Sequence, residues 1–136
     1  MIDKNSINNM TPITRAMLAK KTTSQEVLRY LAQDSNLEVV ANVAQNPYTP
    51  EEIIINFYET GTDFIKRRVA CNTSLSEDNI KLLAVSPDYI VRGRVAENPR
   101  TSDFILDMML NDISEVVRNV ARKQKESRKN DGAIKG

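Results

Sequence analysis

The chain contains no histidine and no tryptophan, and Cys71 is its single cysteine. A disulfide within the chain is therefore excluded, which favours a protein of a reducing compartment. Zinc sites made of Cys and His clusters are excluded as well, together with every catalytic arrangement that depends on an imidazole. No Gly-rich phosphate loop and no pair of nucleophile and base is visible. The sequence predicts no catalytic residues, no metal site, no cofactor and no small-molecule substrate.

Long apolar runs and an excess of one charge are also missing. No run approaches the roughly 18 apolar residues of a membrane span, and the opening segment MIDKNSINNM lacks the apolar core of a signal peptide. We therefore predict a cytoplasmic protein that makes no membrane contact. Lys and Arg total 19 and Asp and Glu total 18, so the net charge of +1 exerts no global attraction on nucleic acid.

One short word is present in three copies: VAQNP at 43–47, VACNT at 69–73 and VAENP at 95–99. The Ala residues of the three words are spaced by 26 residues, and weaker copies place Ala19 and Ala121 25 residues outside the first and the last. Periods of about 20–50 residues are typical of solenoids and repeat arrays. We predict an all-α fold, a short α-solenoid of four to five helix pairs with a period of 25–26 residues.

The domain organisation follows from the extent of the repeat. The helical-repeat domain is predicted to cover residues 11–125. Residues 1–10 are predicted to form a flexible N-terminal segment, and residues 126–136 a basic, polar and disordered tail.

Each repeat is predicted to contain two helices. Apolar residues spaced by four and one form a stripe on the first helix. Its members are Val39, Val43 and Ala44; Ile65, Val69 and Ala70; Ile90, Val91, Val95 and Ala96; and Val116, Val120 and Ala121. The first helix of the unit that ends at Asn98 is predicted to begin with Ser86 as N-cap and Pro87 at its first position.

The Asn of each word is predicted to end the first helix. An Asn side-chain oxygen accepts a hydrogen bond from backbone two residues on, and a following Pro disfavours the α conformation. The N-caps of the second helices are then predicted at Ser24, Thr49, Ser76 and Thr101. Thr49 with Pro50 and Glu52 has the pattern of a capping box.

The segment VRGRVAENPRTSDFILDMMLND (91–112), together with VAQNPYTPEEII and VVRNVARK, resembles the leucine-rich repeat variant, a short helical relative of HEAT repeats. The resemblance implies about five units stacked into a right-handed superhelix, and a scaffold that binds other macromolecules. Val40 and Val117 depart from the family pattern, which has an Arg at the position of Arg92. Some family members carry an iron–sulfur cluster, but Cys71 alone cannot supply the thiolates that such a cluster needs.

Arg15, Lys66 and Arg92 each lie four residues before an anchor Ala. The resemblance implies that an Arg at this position pairs with acidic groups of an adjacent repeat, in a ladder between units. Arg118, six residues after Asp112, is compatible with such a pair.

The candidate partner-binding residues are the basic side chains of the first helices and two residues of the turns. They are Lys66, Arg67, Arg68, Arg92, Arg94, Arg118, Arg122, Tyr48 and Arg100. Among the aromatic residues, only Tyr48 is predicted to be a good exposed candidate. Cys71 is predicted to face solvent without a role of its own.

The second helices carry mostly acidic residues, so the sequence predicts a molecule with a basic layer and an acidic layer. The favoured interpretation is a non-enzymatic adaptor or regulator that binds a protein partner. Sequence-independent nucleic-acid binding through the basic layer is the alternative. Self-association, and a basic layer that is only a solvated surface, are left open.

Overall fold

The computed structural model describes residues 2–135 of the chain, and the side chains of residues 2–132. Every regular element in that range is an α-helix, which confirms the predicted all-α fold. In chain order the helices are α1 (Lys4–Asn8), α2 (Pro12–Lys21), α3 (Gln25–Leu31), α4 (Leu37–Gln45), α5 (Glu51–Thr60), α6 (Asp63–Val69), α7 (Glu77–Ala84), α8 (Tyr89–Glu97), α9 (Asp103–Met109) and α10 (Glu115–Lys135).

The helices form two compact units, Met1–Ser74 and Leu75–Gly136, rather than one continuous domain. In the first unit, α4 packs between α2 and α6, while α3 contacts α2 and α4, and α5 contacts α4 and α6. The predicted stripe of α4 is confirmed, since Val39, Val43 and Ala44 have no exposed surface. Full burial of an aliphatic side chain of this size stabilises a fold by about 1.5–3 kcal/mol.

In the second unit, α8 packs against α7 and α10, and α9 packs against α7 and α10. Val91, Val95 and Ala96 are buried as predicted. On α10 the predicted stripe is wrong by one residue: Val117 and Ala121 are fully buried, whereas Val116 is 54% exposed. Residues four apart share one helix face, so the burial of Ala121 brings Val117 to the core.

The two chain ends differ from the expectation. Within the predicted flexible segment, the structure places α1, whose N-cap Asp3 accepts a hydrogen bond from the backbone N–H of Ser6 at 2.8 Å. The burial of Ile7 holds this short helix to the first unit. At the other end, α10 continues through the predicted disordered tail to Lys135. Residues 1 and 136 lie outside the described residues.

The second helices begin partly where the sequence predicts. Ser24 and Ser76 are N-caps, as predicted. Thr49 and Thr101 are not: the N-caps there are Pro50, without a side-chain bond, and Ser102.

The two threonines instead close the end of the preceding helix. The buried hydroxyl of Thr49 donates to the carbonyl of Val43 at 2.7 Å, and that of Thr101 donates to the carbonyl of Val95 at 2.6 Å. Each adds a second hydrogen bond to a carbonyl of the last helical turn, which also accepts from the backbone N–H of the C-cap, Asn46 or Asn98. The predicted capping box of Thr49 is therefore wrong.

The predicted start of α8 is also wrong. Asp88, not Ser86, is the N-cap, and its side chain accepts from the N–H of Ile90 at 3.0 Å. The hydroxyl of Ser86 accepts from the N–H of Asp88 at 3.2 Å, so Ser86 shapes the loop one step earlier.

Candidate functional site

Arg92 is buried, and its guanidinium makes hydrogen bonds within the second unit. Its Nε and Nη2 donate to the two carboxylate oxygens of Asp112 at 2.9 and 3.1 Å, and its Nη1 donates to the carbonyl of Ser86 at 2.7 Å. Only 10% of each charged side chain is exposed. Arg92 therefore joins the loops before and after its own repeat, which removes it from the candidate partner-binding residues.

Arg15 makes the same arrangement in the first unit. It donates to Asp34 through Nε at 2.8 Å, and to the carbonyl of Met10 through Nη1 at 2.8 Å. Asp34 and Asp112 each lie in the loop after the second helix of the same repeat as the Arg, 19 and 20 residues later in the chain. The repeats that have Val40 and Lys66 at the Arg position have no Asp at the matching loop position.

The environment of Asp112 favours its ionised form. Burial by itself would raise the pKa of Asp112, but the hydrogen bonds from Arg92 and from the N–H of Ser114 oppose this. Together with the charges of Arg92 and Arg118, they lower the pKa below its ordinary value of 3.8. Arg118 does reach Asp112, although it bonds the backbone carbonyl, at 2.6 Å, rather than the carboxylate.

Arg68 is likewise engaged within its unit. Its guanidinium pairs with Glu38 at 2.7 Å and donates to the side-chain oxygens of Asn42 and Gln45 at 3.1 and 3.0 Å. It also lies over the ring of Phe64, 5.5 Å from the centroid. These contacts tie α6 to α4 and leave little of the charge for a partner.

The other predicted residues are spread over both units. In the first unit, the ammonium of Lys66 lies 6.0 Å from the ring centroid of Tyr58, and the carbonyl of Arg67 accepts a 3.5 Å bond from the Sγ of the half-buried Cys71. Tyr48 is 55% exposed, as predicted.

In the second unit, Arg94 is half-exposed and lies 3.8 Å from a carboxylate oxygen of Glu97. Arg122 is exposed and bonds the side-chain oxygen of Asn119 at 2.8 Å, while Arg100 is exposed in the turn after α8. These residues therefore lie on several helices and turns of two different units.

The basic and acidic layers are bridged in the second unit. Arg128 of α10 pairs with Asp103 of α9 at 2.9 Å, and Lys125 pairs with Asp107. The basic end of α10 thus neutralises part of the acidic surface of α9.

The Asn of the repeated word has a role beyond the predicted turn. The turn itself is present, because the Oδ1 of Asn46 accepts from the N–H of Tyr48 at 2.8 Å. In addition, the Nδ2 of Asn46 donates to the carbonyls of Ala19 and Thr22, both at 2.8 Å. The buried amide therefore closes the end of the first helix of the preceding repeat.

Asn72 repeats this contact one repeat later, with bonds to the carbonyls of Ala44 and Asn46 at 2.8 and 3.0 Å. In the last repeat, where no such Asn exists, Gln124 donates to the carbonyl of Glu97 at 3.2 Å. Arg128 reaches the carbonyls of the Asn98–Pro99 turn at 3.4 Å. Helix α10 has to continue past Ala121 to bring these side chains over the end of α8.

The most distinctive surface feature is an apolar groove of about 500 Å³ between α7 and α9. The residues that line it include Lys81, Val85, Phe104, Met108, Met109 and Asp112. Three of them are exposed although apolar: Val85 by 71%, Phe104 by 66% and Met108 by 57%. The expectation that Tyr48 is the main exposed aromatic residue is therefore wrong.

The equivalent place in the first unit is polar. Ser24 and Ser76, which cap α3 and α7, are 52 positions apart, as are Pro50 and Ser102, which cap α5 and α9. This offset pairs Arg29 with Lys81, Gln33 with Val85, Glu52 with Phe104 and Asn56 with Met108.

There, an ion pair at 2.9 Å between Arg29 of α3 and Glu52 of α5 bridges the two helices. The backbone N–H of Glu52 and the hydrogen bond from Arg29 hold the pKa of Glu52 below its ordinary value. An alignment of the second helices with one another could have identified the groove from the sequence, because it places Phe104 and Met108 opposite the polar residues Glu52 and Asn56.

No significant similarity links the chain to any protein-family model, curated protein or solved structure. Over the described residues, no helix is both long enough and apolar enough to cross a bilayer. Within the same part of the chain, no three acidic or Cys side chains are placed to share a metal ion.

Proposed function

We propose that the chain is a non-enzymatic helical-repeat scaffold, of the leucine-rich repeat variant type, that acts as an adaptor or regulator by binding a protein. Its docking surface is the apolar groove between α7 and α9. The α-solenoid interpretation, with its period of 25–26 residues, is supported by the repeated word. It is also supported by the side-by-side packing of α2, α4 and α6 in one unit and of α8 and α10 in the other.

The observation that carries the docking surface is the exposure of Phe104 and Met108 where α5 has Glu52 and Asn56. The repeat does not require apolar residues at these positions, because the first unit folds with polar ones. Exposed apolar groups gathered around a concave surface mark protein interaction sites, and buried aromatic anchors contribute most of the binding free energy at such sites.

The basic first-helix residues support the nucleic-acid alternative less well. Phosphate contacts require cations that are free to replace counterions. Arg68, Arg92 and Arg118 already bond carboxylates or carbonyls of their own units. A cytoplasmic location accords with the single cysteine, Cys71, which excludes a disulfide within the chain.

The test is capture of binding proteins from an extract of the source cells, with quantification by mass spectrometry. The wild-type chain is compared with Phe104→Glu and with Leu82→Glu. Leu82 is the matched control, because it is an exposed apolar residue of α7, 45% exposed, that does not line the groove. A protein that is retained by wild type and Leu82→Glu, but lost by at least tenfold with Phe104→Glu, is the expected result.

Two further variants and a nucleic-acid arm decide the alternative. If Arg68→Glu and Arg94→Glu abolish capture while Phe104→Glu does not, the basic layer is the site and the groove is not. A gel shift of duplex DNA that is lost between low and physiological salt would favour nucleic-acid binding instead. Circular dichroism melts check that each variant remains folded.

A further inference from the structure

Lys81 is a cation whose expected internal partner is missing. Its counterpart Arg29 pairs with Glu52 at 2.9 Å, so the two helices of the first unit supply both charges. At the position of Glu52, the second unit has Phe104, which cannot accept a hydrogen bond. Among the described residues, no carboxylate forms an ion pair with Lys81.

The one carboxylate that lines the groove is already used. Asp112 receives two hydrogen bonds from Arg92 and one, at 2.8 Å, from the N–H of Ser114. The groove therefore presents an apolar floor with a single uncompensated positive charge at its wall.

We propose that the partner segment is an acidic amphipathic helix. Its apolar side chains fill the groove beside Phe104 and Met108, and a carboxylate on its flank pairs with the ammonium of Lys81. This inference rests on the proposed docking function of the groove. The partner would supply in trans the carboxylate that Glu52 supplies in cis in the first unit.

A helix is the occupant that the shape and the charge favour. Residues of α7 and α9 line the two sides of the groove, and an apolar groove between helices can receive the apolar face of an amphipathic helix. A phosphate group alone would meet one Lys and an apolar lining, with no second cation to bind it. A basic segment would place like charge against Lys81, which is unfavourable at an interface.

The experiment uses two synthetic helical peptides of about 18 residues, long enough to form a helix in water. Both carry the same Leu face, and their flanks consist of Glu in one peptide and Lys in the other. Fluorescence anisotropy measures their affinities for the full chain as wild type, Lys81→Glu, Phe104→Glu and Lys21→Glu. The last variant changes the net charge by the same amount on α2, which contributes no residue to the groove.

The wild-type chain should bind the Glu peptide about tenfold more tightly than the Lys peptide. Lys81→Glu should reverse this preference, whereas Lys21→Glu should leave it unchanged. Phe104→Glu should weaken both peptides.

The remaining outcomes separate the two proposals. Equal binding of the peptides, or a preference that survives Lys81→Glu, would overturn the acidic partner and leave the groove intact. Binding that is insensitive to Phe104→Glu, or no binding of either peptide to the wild type, would count against the groove itself.

Discussion

The surface between α3 and α5 and the surface between α7 and α9 occupy the same place in two pairs of repeats, but their chemistry differs. In the first unit, Arg29 and Glu52 bridge the two helices. In the second unit, Lys81 lines an apolar groove together with Phe104, and among the side chains of residues 2–132 no carboxylate forms an ion pair with it. The matched core positions Ile54 and Leu106 are both fully buried, so the difference is confined to the surface.

The comparison teaches where two units with the same sequence pattern are free to differ. Core positions are constrained in every repeat, since a repeat can bury its apolar face only against its neighbours. The exposed positions carry no such constraint, so they differ freely between repeats. Phe104 is 66% exposed, so the core does not require an apolar residue at this position, and this is why the proposed docking surface includes it.

The largest effect should come from removing the buried arginine of the second unit and comparing it with its counterpart in the first. Arg92→Met removes both Arg92 hydrogen bonds to the carboxylate of Asp112, which keeps only the bond from the N–H of Ser114, and it removes the Arg92 bond to the carbonyl of Ser86. Only 10% of each charged side chain is exposed there. We expect the free energy of unfolding to fall by about 3 kcal/mol. Arg15→Met should cost less, about 2 kcal/mol, because Arg15 is 17% exposed. Urea titration followed by circular dichroism measures both values.

Arg94→Met is the matched control for this prediction. Its guanidinium is half-exposed and its ion pair is long, at 3.8 Å, so a change below about 0.5 kcal/mol is expected. If Arg92→Met destabilises no more than Arg94→Met, the buried pair is not the structural link described above.

A smaller loss of unfolding free energy is expected from removing the side chains that bond the last carbonyls of a neighbouring helix, and the loss should again differ between the two units. Asn72→Ala removes two hydrogen bonds to buried carbonyls and the bond that holds its own turn. The expected loss is about 2 kcal/mol. Gln124→Ala removes one exposed bond in the second unit, at 3.2 Å, and should cost about 0.5 kcal/mol.

The exposed Asn56 of α5 provides the control, since Asn56→Ala removes an amide that closes no helix end. Its effect should be close to zero. A loss for Asn72→Ala that matches the one for Gln124→Ala would mean that the repeated Asn only shapes its own turn.

Much of the fold was predictable because the repeated word encodes local chemistry. The anchor Ala residues, the stripe of α4 and the Asn turn follow from helix periodicity and from the hydrogen-bonding capacity of Asn. The hydrogen bond from the side-chain amide of Asn46 to the carbonyl of Ala19 was not predictable, because it depends on which helix end lies beside Asn46 in the fold. The predicted N-caps Thr49 and Thr101 are wrong for a similar reason. A hydroxyl between two helices can accept from the N–H groups of the following helix or donate to a carbonyl of the preceding one, and the sequence does not distinguish the two.

The candidate site was predicted less well. Sequence reasoning selected basic residues for their charge, and the charges of Arg68 and Arg92 turned out to be compensated by residues distant in the chain. Phe104 and Met108 are apolar residues four positions apart, which is the spacing of a buried helix face, and their exposure depends on the neighbouring elements rather than on residue type. Comparison of matched repeat positions would have distinguished them, since Glu52 and Asn56 cannot belong to a core.

The smallest expected effect is on the pH dependence of the unfolding free energy, and it tests whether Asp112 of the second unit is ionised in the folded state. Burial opposes ionisation, but the bonds from Arg92 and from the N–H of Ser114 lower the pKa of Asp112 below 3.8. A carboxyl whose pKa is lower in the folded state than in the unfolded state stabilises the fold above its unfolded pKa. This contribution is lost as the pH falls through the folded pKa. The difference in unfolding free energy between wild type and Asp112→Asn should therefore be largest near neutral pH and should shrink on acidification. A difference for Asp112→Asn that stays constant or grows in acid would contradict the assignment.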